Sequence, residues 1–416
     1  MKILWVKPGK ILPLDTGGKL RTYNILRHLA KSHELTYLSY YGGRRDEAYE
    51  REILTHLPGT VSVYTAARDS TPLKSYLDYA SRICWRAPYS VSKFTARQVQ
   101  KLLQDWISQR RFDVAVCDFL ASTLNFPETL TTPTALFQHN VETVLWKRKA
   151  EFEAKLFDRI VSRLEYAKMV RFEPTQARRF HHVIAVSEAD REAMSSMVDP
   201  CNISVVPTGV DLSIYAYDPA ARPSKPLVVF SGSMDWEPNI DGVHFFCKNV
   251  WPQVLAQVPD ARFRIVGRDP HPRVKRLASE SVEVTGTVPS VVDHLREAAV
   301  LVVPLRIGGG TRIKIYEGMA MGKATVSTTA GAEGLDVQHR HDILIADDPS
   351  DFANAIVSFL RDDEMRCRYE AAAAATAHKY DWSVITRRFV EVLHRTIDAA
   401  ADRGASQSSN AALLRA

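Results

Sequence analysis

Short apolar runs bounded by polar residues recur along this 416-residue chain, and the stretches between them carry the three-to-four-residue apolar spacing of helices. In the first half, Ile3–Lys7, Leu35–Tyr40, Asp113–Cys117, Ala135–Gln138, His182–Val186 and Ile203–Val206 predict strands, and Leu20–Ala30 predicts an amphipathic helix. Glu142 to Arg179 predicts one long helical region broken near Pro174, because proline removes a helical donor and crowds the preceding turn. Asp218-Pro219-Ala220-Ala221-Arg222-Pro223-Ser224 has two prolines and no apolar period, and reads as a linker. A second alternation follows, with strands at Leu227–Phe230, Phe263–Val266, Val282–Val284, Val300–Val303, Ala324–Ser327 and Ile343–Ile345. Helices at Gly242–Gln257, Phe352–Leu360, Met365–His378 and Trp382–Ala401 complete it.

Strands alternating with helices imply parallel sheets covered on both faces, and two tandem sets imply two doubly wound α/β domains. Their boundaries are expected at residues 1–217 and 225–380, with a cleft between facing strand ends. The helix at about 382–402 is expected to pack back on the first domain, and residues 403–416, polar from Ser406 onward, to be a disordered tail.

One stretch adds chemistry to this layout. Gly308-Gly309-Gly310-Thr311-Arg312-Ile313-Lys314-Ile315-Tyr316-Glu317 follows the apolar run ending at Leu305 and opens a helix. A glycine loop at a helix start is an anion cradle, since backbone N–H groups and the positive helix end converge there. Arg312 and Lys314 suit a diphosphate, and Glu317 suits sugar hydroxyls, so the site is expected to hold a nucleotide sugar through Gly309, Gly310, Thr311, Arg312, Lys314 and Glu317. Gly17-Gly18 lies at the first strand-to-helix turn, where bare backbone can approach a phosphate. No D-x-D pair is present to hold a divalent ion on a diphosphate, so no metal site is expected, and the leaving group must be met by helix dipole, amides, Arg312 and Lys314.

Composition narrows the class. Residues 1–221 carry 30 Lys and Arg against 24 Asp and Glu, and the rest 24 of each, so the net charge of +6 lies wholly in the first half. The excess concentrates in Arg68–Arg111 and Lys147–Arg179, where Trp85, Phe94, Trp106, Phe152, Phe157 and Phe172 are interleaved with the cations. Such mixtures suit either solvated helix faces or an anionic lipid surface. No nucleic-acid-binding motif accompanies the charge. Five scattered cysteines without a C-x-x-C pair read as free thiols in a reducing compartment. The short apolar start is no signal peptide and no run is long enough to span a bilayer, which places the chain in the cytoplasm, peripheral at most to the inner face of the cell membrane.

With the tandem layout and the glycine-loop motif together, the chain resembles the family-4 glycosyltransferases of the GT-B fold, two Rossmann-like domains facing across a cleft. The resembling elements are Gly17-Gly18, His139-Asn140, Val186-Ser187-Glu188-Ala189-Asp190, Val206-Pro207-Thr208-Gly209-Val210-Asp211, Val266-Gly267-Arg268 and Gly308–Gly322. The resemblance implies that Glu317, the second glutamate of an E-x7-E motif, holds the nucleotide ribose. It also implies that His139 contacts the donor sugar or acceptor, and that main chain near Thr287-Val288 meets the base. Asp118 is a candidate for acceptor contact or proton removal. Two departures stand out. The Gly-Gly-Gly-Thr-Arg loop replaces the motif's first glutamate, and the usual basic pair after Gly232 is missing, with Ser233 in the arginine's place and no lysine near Asn239. Arg312 and Lys314 are expected to supply the lost cations.

The activity implied is a retaining, metal-independent hexosyl transfer from a UDP- or GDP-sugar to a hydroxyl acceptor, without a bound cofactor. The acceptor would be a glycan or lipid-linked glycan in exopolysaccharide or lipid-linked oligosaccharide assembly. A GT-B nucleotide-sugar epimerase, needing no acceptor, and a catalytically weak nucleotide-sugar-binding protein are the alternatives.

Overall fold

A computed structural model of the chain describes residues 1–65, 72–152, 155–307 and 312–413. It divides into two compact units, Met1–Pro207 together with Ile385–Ala416, and Thr208–Val384. In the first, seven parallel strands run in the order β3-β2-β1-β4-β5-β6-β7. These are β1 (Lys2–Pro8), β2 (Glu34–Tyr41), β3 (Thr60–Tyr64), β4 (Val114–Asp118), β5 (Thr134–Phe137), β6 (His182–Ala185) and β7 (Ile203–Val205). The apolar runs are continuous because both sheet faces are covered. Leu4, Val6, Ala115, Cys117 and Leu136 turn to one side, against Val99, Leu103 and Trp106. Trp5 turns to the other and meets Phe137 edge-on at 5.9 Å and Phe389 at 5.2 Å. Each such side chain removed from water contributes roughly 1.5–3 kcal/mol.

The order reverses between β1 and β4, since the chain winds from β1 out to β3 and then returns to β4 on the opposite side. Such a switch point opens a crevice at the strands' carboxyl ends. Asp118 ends β4, and helix α1 (Gly17–Leu29) begins just past β1, with the Thr16 hydroxyl accepting from the Lys19 amide.

Two expectations change here. Thr60–Tyr64 is an edge strand that its mixed sequence, Thr-Val-Ser-Val-Tyr, does not announce by an apolar run. The helical region is not broken at Pro174. It consists of α2 (Glu142–Phe152) and α3 (Leu156–Ala177), and Pro174 lies inside the latter. Proline there forfeits one bond to the carbonyl of Val170, a residue on the exposed face where water can replace it.

In the second unit six parallel strands run β10-β9-β8-β11-β12-β13. They are β8 (Leu227–Ser231), β9 (Arg262–Val266), β10 (Val282–Gly286), β11 (Val300–Val303), β12 (Ala324–Ser327) and β13 (Leu344–Ile345). Here the switch point lies between β8 and β11, which pair through Val228 with Val300 and Val229 with Leu301. Helix α4 (Ile313–Ala320) follows β11.

The segment before the expected linker belongs to this unit. Val210 bridges to Asp381, and Tyr215 hydrogen-bonds Glu317, which ties residues 208–217 to the second sheet rather than the first. The last helix, α5 (Trp382–Leu413), is also longer than expected, so the stretch read as a tail is helical as far as Leu413. The five cysteines are free thiols. Among the described residues no helix is long and apolar enough to cross a membrane.

Candidate functional site

Each switch point carries a cluster of polar side chains. In the first unit Asp118 is fully buried, and its two oxygens are divided among several donors. Oδ2 accepts from Trp5 Nε1 at 3.0 Å and from the Thr22 hydroxyl at 2.7 Å, and Lys7 Nζ stands 3.9 Å away. Oδ1 lies 2.6 Å from His139 Nε2. On the far side of the ring, His139 Nδ1 lies 2.8 Å from an Arg21 guanidinium nitrogen. A guanidinium only donates, so Nδ1 is the acceptor, and the imidazole proton must sit on Nε2, donated to Asp118.

The two pKa directions agree with that tautomer. Burial pulls His139 down to about 4 against the opposing pull of Asp118, so the ring is neutral near pH 7. Burial alone would raise the Asp118 carboxyl, but Lys7 and His139 outweigh it and leave it lowered.

Packing closes the cluster. Phe119 stacks on His139 with centroids 3.9 Å apart, and Lys7 Nζ lies over the Phe119 ring at 4.0 Å. Phe119 holds φ at +67°, an uncommon backbone for a bulky residue, which turns its ring onto the histidine. Gly18 makes room for it, as a Cβ there would come within 2.7 Å of Phe119 Cζ. Gly18 is therefore required by packing within the unit. Gly17, at the start of α1, is exposed.

His139 and Asp118 were expected to contact substrate. The structure brings them together, but as a mutually satisfied pair: His139 is 4% exposed with both nitrogens engaged, and Asp118 has no exposed surface. Arg21, Lys7, Thr22 and Phe119 complete the cluster, and nothing in their sequence spacing marks them.

In the second unit Lys314 and Glu317 occupy the first turn and a half of α4, both partly buried. Lys314 Nζ donates to Asn239 Oδ1 at 3.1 Å and lies over the Phe230 ring at 4.1 Å. It rests against the turn after β8, where a Cβ on Gly232 would come within 2.7 Å of both Lys314 Nζ and Asn239 Nδ2. Asn239 Nδ2 donates to the Ser233 carbonyl at 2.8 Å, and Arg268 Nε to the Ser233 hydroxyl at 3.0 Å. The ammonium of Lys314 thus stands beside Ser233 and Asn239, the two positions where the resemblance led us to expect a basic pair.

Glu317 accepts from the Tyr215 hydroxyl at 3.0 Å. Burial raises its carboxyl above the usual range, with Tyr215 and Lys314 opposing. Lys314 moves the other way, pulled down to about 7 by burial and by Arg312, with Glu317 opposing. Arg312, almost fully buried, has its guanidinium 5.7 Å from the Trp236 ring. These are the electrostatics of a site that concentrates positive charge against apolar walls, where an incoming anion gains most.

Val288 lies just past the carboxyl end of β10 and is partly exposed. Gly309, Gly310 and Thr311 lie outside the described residues. Tyr215 and Asn239 are the site residues that the sequence did not reveal. The only signal was Asn239's place where a lysine is usual. Among the described residues no three His, Cys, Asp or Glu side chains group so as to hold a metal ion.

With this geometry in view, comparison with known proteins is informative. A family model described as Glycosyltransferase Family 4 matches residues 16–214, and one described as Glycosyl transferases group 1 matches residues 225–362. The chain is 28% identical over 228 residues to a phosphatidyl-myo-inositol mannosyltransferase of Mycolicibacterium smegmatis, a match spanning 52% of this chain and 58% of that protein. It is 22% identical over 356 residues to an uncharacterized 44.6 kDa protein in the cps region of Klebsiella pneumoniae, covering 79% of this chain and 89% of that one. Among solved structures, Anabaena HepE in complex with UDP and glucose superposes with a TM-score of 0.64 at 17% identity, covering 95% of this chain and all of that one. One glycosyltransferase model thus covers most of the first unit and the other most of the second, and the chain belongs to the glycosyltransferases of the GT-B fold.

Proposed function

We propose that the chain transfers a hexosyl group from a nucleoside-diphosphate sugar to a hydroxyl acceptor, with retention and without a metal ion. The observation that carries this reading is the Lys314 ammonium held by Asn239 against the Gly232 turn, one helical turn from Glu317, at the switch point of the second sheet. A diphosphate bound there meets Lys314 and Arg312 on one side. Glu317, with one oxygen fixed by Tyr215, can accept from a vicinal pair of ribose hydroxyls. When the bond between sugar and diphosphate breaks, negative charge grows on the departing phosphate oxygen. Cations already fixed beside it stabilise that charge without reorganising, which lowers the barrier.

UDP as carrier is supported by the fold neighbour HepE, solved in complex with UDP and glucose, and GDP is the alternative carrier. A lipid-linked acceptor is supported by the similarity to a phosphatidyl-myo-inositol mannosyltransferase. In this reading His139 and Asp118 are positioning residues of the first unit. A neutral imidazole bonded to an ionised, fully engaged carboxylate suits fixing the backbone of the β4 and β5 ends rather than moving a proton.

The test is thermal shift with UDP, GDP and ADP, followed by turnover of the matching sugar donors with and without EDTA. A shift with one nucleotide and EDTA-resistant release of that nucleotide are expected. Loss of turnover in EDTA with rescue by magnesium or manganese would overturn the metal-independent step. Release of an isomerised nucleotide sugar without acceptor would favour an epimerase.

A further inference from the structure

Helix α3 has one buried side and, opposite it, an exposed apolar stripe. Successive residues turn by about 100°, so Glu165, Met169, Phe172, Glu173 and Gln176 share one side, and all are buried. Leu156, Phe157, Ile160 and Leu164 fall on the opposite side, within an arc of about 100°. Their exposures are 64%, 61%, 48% and 42%. Four large apolar side chains on one exposed stripe are more than a solvated helix tolerates without reason. Arg163 and Arg171, both exposed, and the partly exposed Arg159 lie within or beside this stripe, and Lys147, Arg148 and Lys149 are exposed on the adjoining helix α2.

We propose that this outward face of α3 docks on an anionic lipid bilayer, with Leu156, Phe157, Ile160 and Leu164 seated among the headgroups and the arginines paired with lipid phosphates. The charge pattern selects the occupant. A second copy of this chain would bring the same cations against each other, whereas an anionic leaflet neutralises them. Long basic side chains flanking an apolar stripe also lie along it while keeping their charged ends in the headgroup layer. The docking would present the first unit to a lipid-linked acceptor, and it rests on the transferase reading for its purpose but not for its geometry.

The expected aromatic anchors divide accordingly. Phe157 and Trp85 are exposed, whereas Trp106 and Phe172 are core residues of the first unit and Phe94 packs against that core. The described side chains do not include Phe152 or Arg68. The stripe on α3 therefore replaces the basic runs as a whole as the docking element.

The experiment is co-sedimentation of the full chain with vesicles of phosphatidylcholine alone or mixed with phosphatidylglycerol, at low and high salt. Wild type should bind the anionic vesicles and be released by salt, which screens within about 8–10 Å. The double variant Phe157→Ser with Ile160→Ser should bind roughly tenfold more weakly or worse. Arg159→Gln with Arg163→Gln should lose roughly fivefold per charge, and only on anionic vesicles. Phe157, Ile160 and Arg163 are exposed and Arg159 is partly so, and melting temperatures should stay close to wild type.

Wild type that ignores anionic vesicles at low salt would overturn the proposal. So would an apolar double variant that binds normally, or a wild-type dimer that the double variant converts to monomer without any vesicle binding. Nucleotide thermal shift measured in parallel separates the two readings. Docking without a nucleotide response sinks the transferase alone, and a nucleotide response without docking sinks the docking alone.

Discussion

Asp118 at the end of β4 and Gly232 just past β8 lie beside the two points where strand order reverses, yet the clusters built around them are in opposite electrostatic condition. Around Asp118, donors and acceptors match: Trp5, Thr22 and His139 serve the carboxylate, and Arg21 serves the remaining imidazole nitrogen. Around Gly232, burial depresses Lys314, Arg312 adds to that shift, and burial raises Glu317 as well. The first cluster is stable as it stands. On the proposed reading, the second improves when an anion and hydroxyl donors arrive. A polar residue at a strand's carboxyl end is therefore not a ligand contact by position alone, and what decides is whether the protein has already satisfied it.

The largest effect expected from this contrast is on folding. Asp118→Ala leaves Lys7 and three former donors without their shared acceptor in a dry site, which should cost about 3–5 kcal/mol of stability. Urea or thermal melts check this, and the surviving folded fraction should still respond to nucleotide. A variant as stable as wild type that loses activity would move Asp118 back into the chemistry.

Next comes Lys314→Met, which preserves stem volume and removes the ammonium. Nucleoside-diphosphate affinity should fall by about 1.5–3 kcal/mol, the scale of a charge-assisted hydrogen bond. Stability should hold or rise, because a cation that burial disfavours is gone. Titration calorimetry beside a melt reads both. Gly232→Ala should reproduce part of the loss by pushing Lys314 Nζ from its place, and crystallography of that variant would show the displaced ammonium.

Glu317→Gln keeps the shape and the bond from Tyr215 but removes the charge. A loss of about 1 kcal/mol or somewhat more is expected for nucleotides carrying both ribose hydroxyls. The 2′-deoxy nucleotide should show a smaller difference between wild type and variant. Equal losses for both nucleotides would detach Glu317 from the ribose.

Much of this was legible in the sequence, and the gaps have physical causes. Continuous runs such as Val300–Val303 declare buried parallel strands, because a strand covered on both faces has no polar side to show. Thr60–Tyr64, at the sheet edge and largely half-buried, carries alternating Thr, Val and Ser and sends a weaker signal. Pro174 misled because it sits where only one bond is forfeited. Arg312, Lys314 and Glu317 were visible as a motif, since one helix holds the spacing. Tyr215 and Asn239 were not, as their contacts with Glu317 and Lys314 cross 102 and 75 residues of chain. His139 was visible as a candidate but its condition was not, because Arg21 and Asp118 approach it from 118 and 21 residues away.

On the proposed reading, Lys314 waits, near its titration midpoint, for a diphosphate. Titration calorimetry of UDP and GDP between pH 7 and 9, in buffers of different ionisation enthalpy, tests it most directly. Free Lys314 loses its proton as pH rises through about 7, and a bound diphosphate favours the charged form. Binding should therefore take up a proton, with the uptake rising from pH 7 to 8, and affinity should weaken with increasing pH by up to about tenfold per unit. Lys314→Met should abolish both the uptake and the slope. Flat affinity without proton uptake in wild type, or a Lys314→Met variant that tracks wild type across this range, would contradict the account.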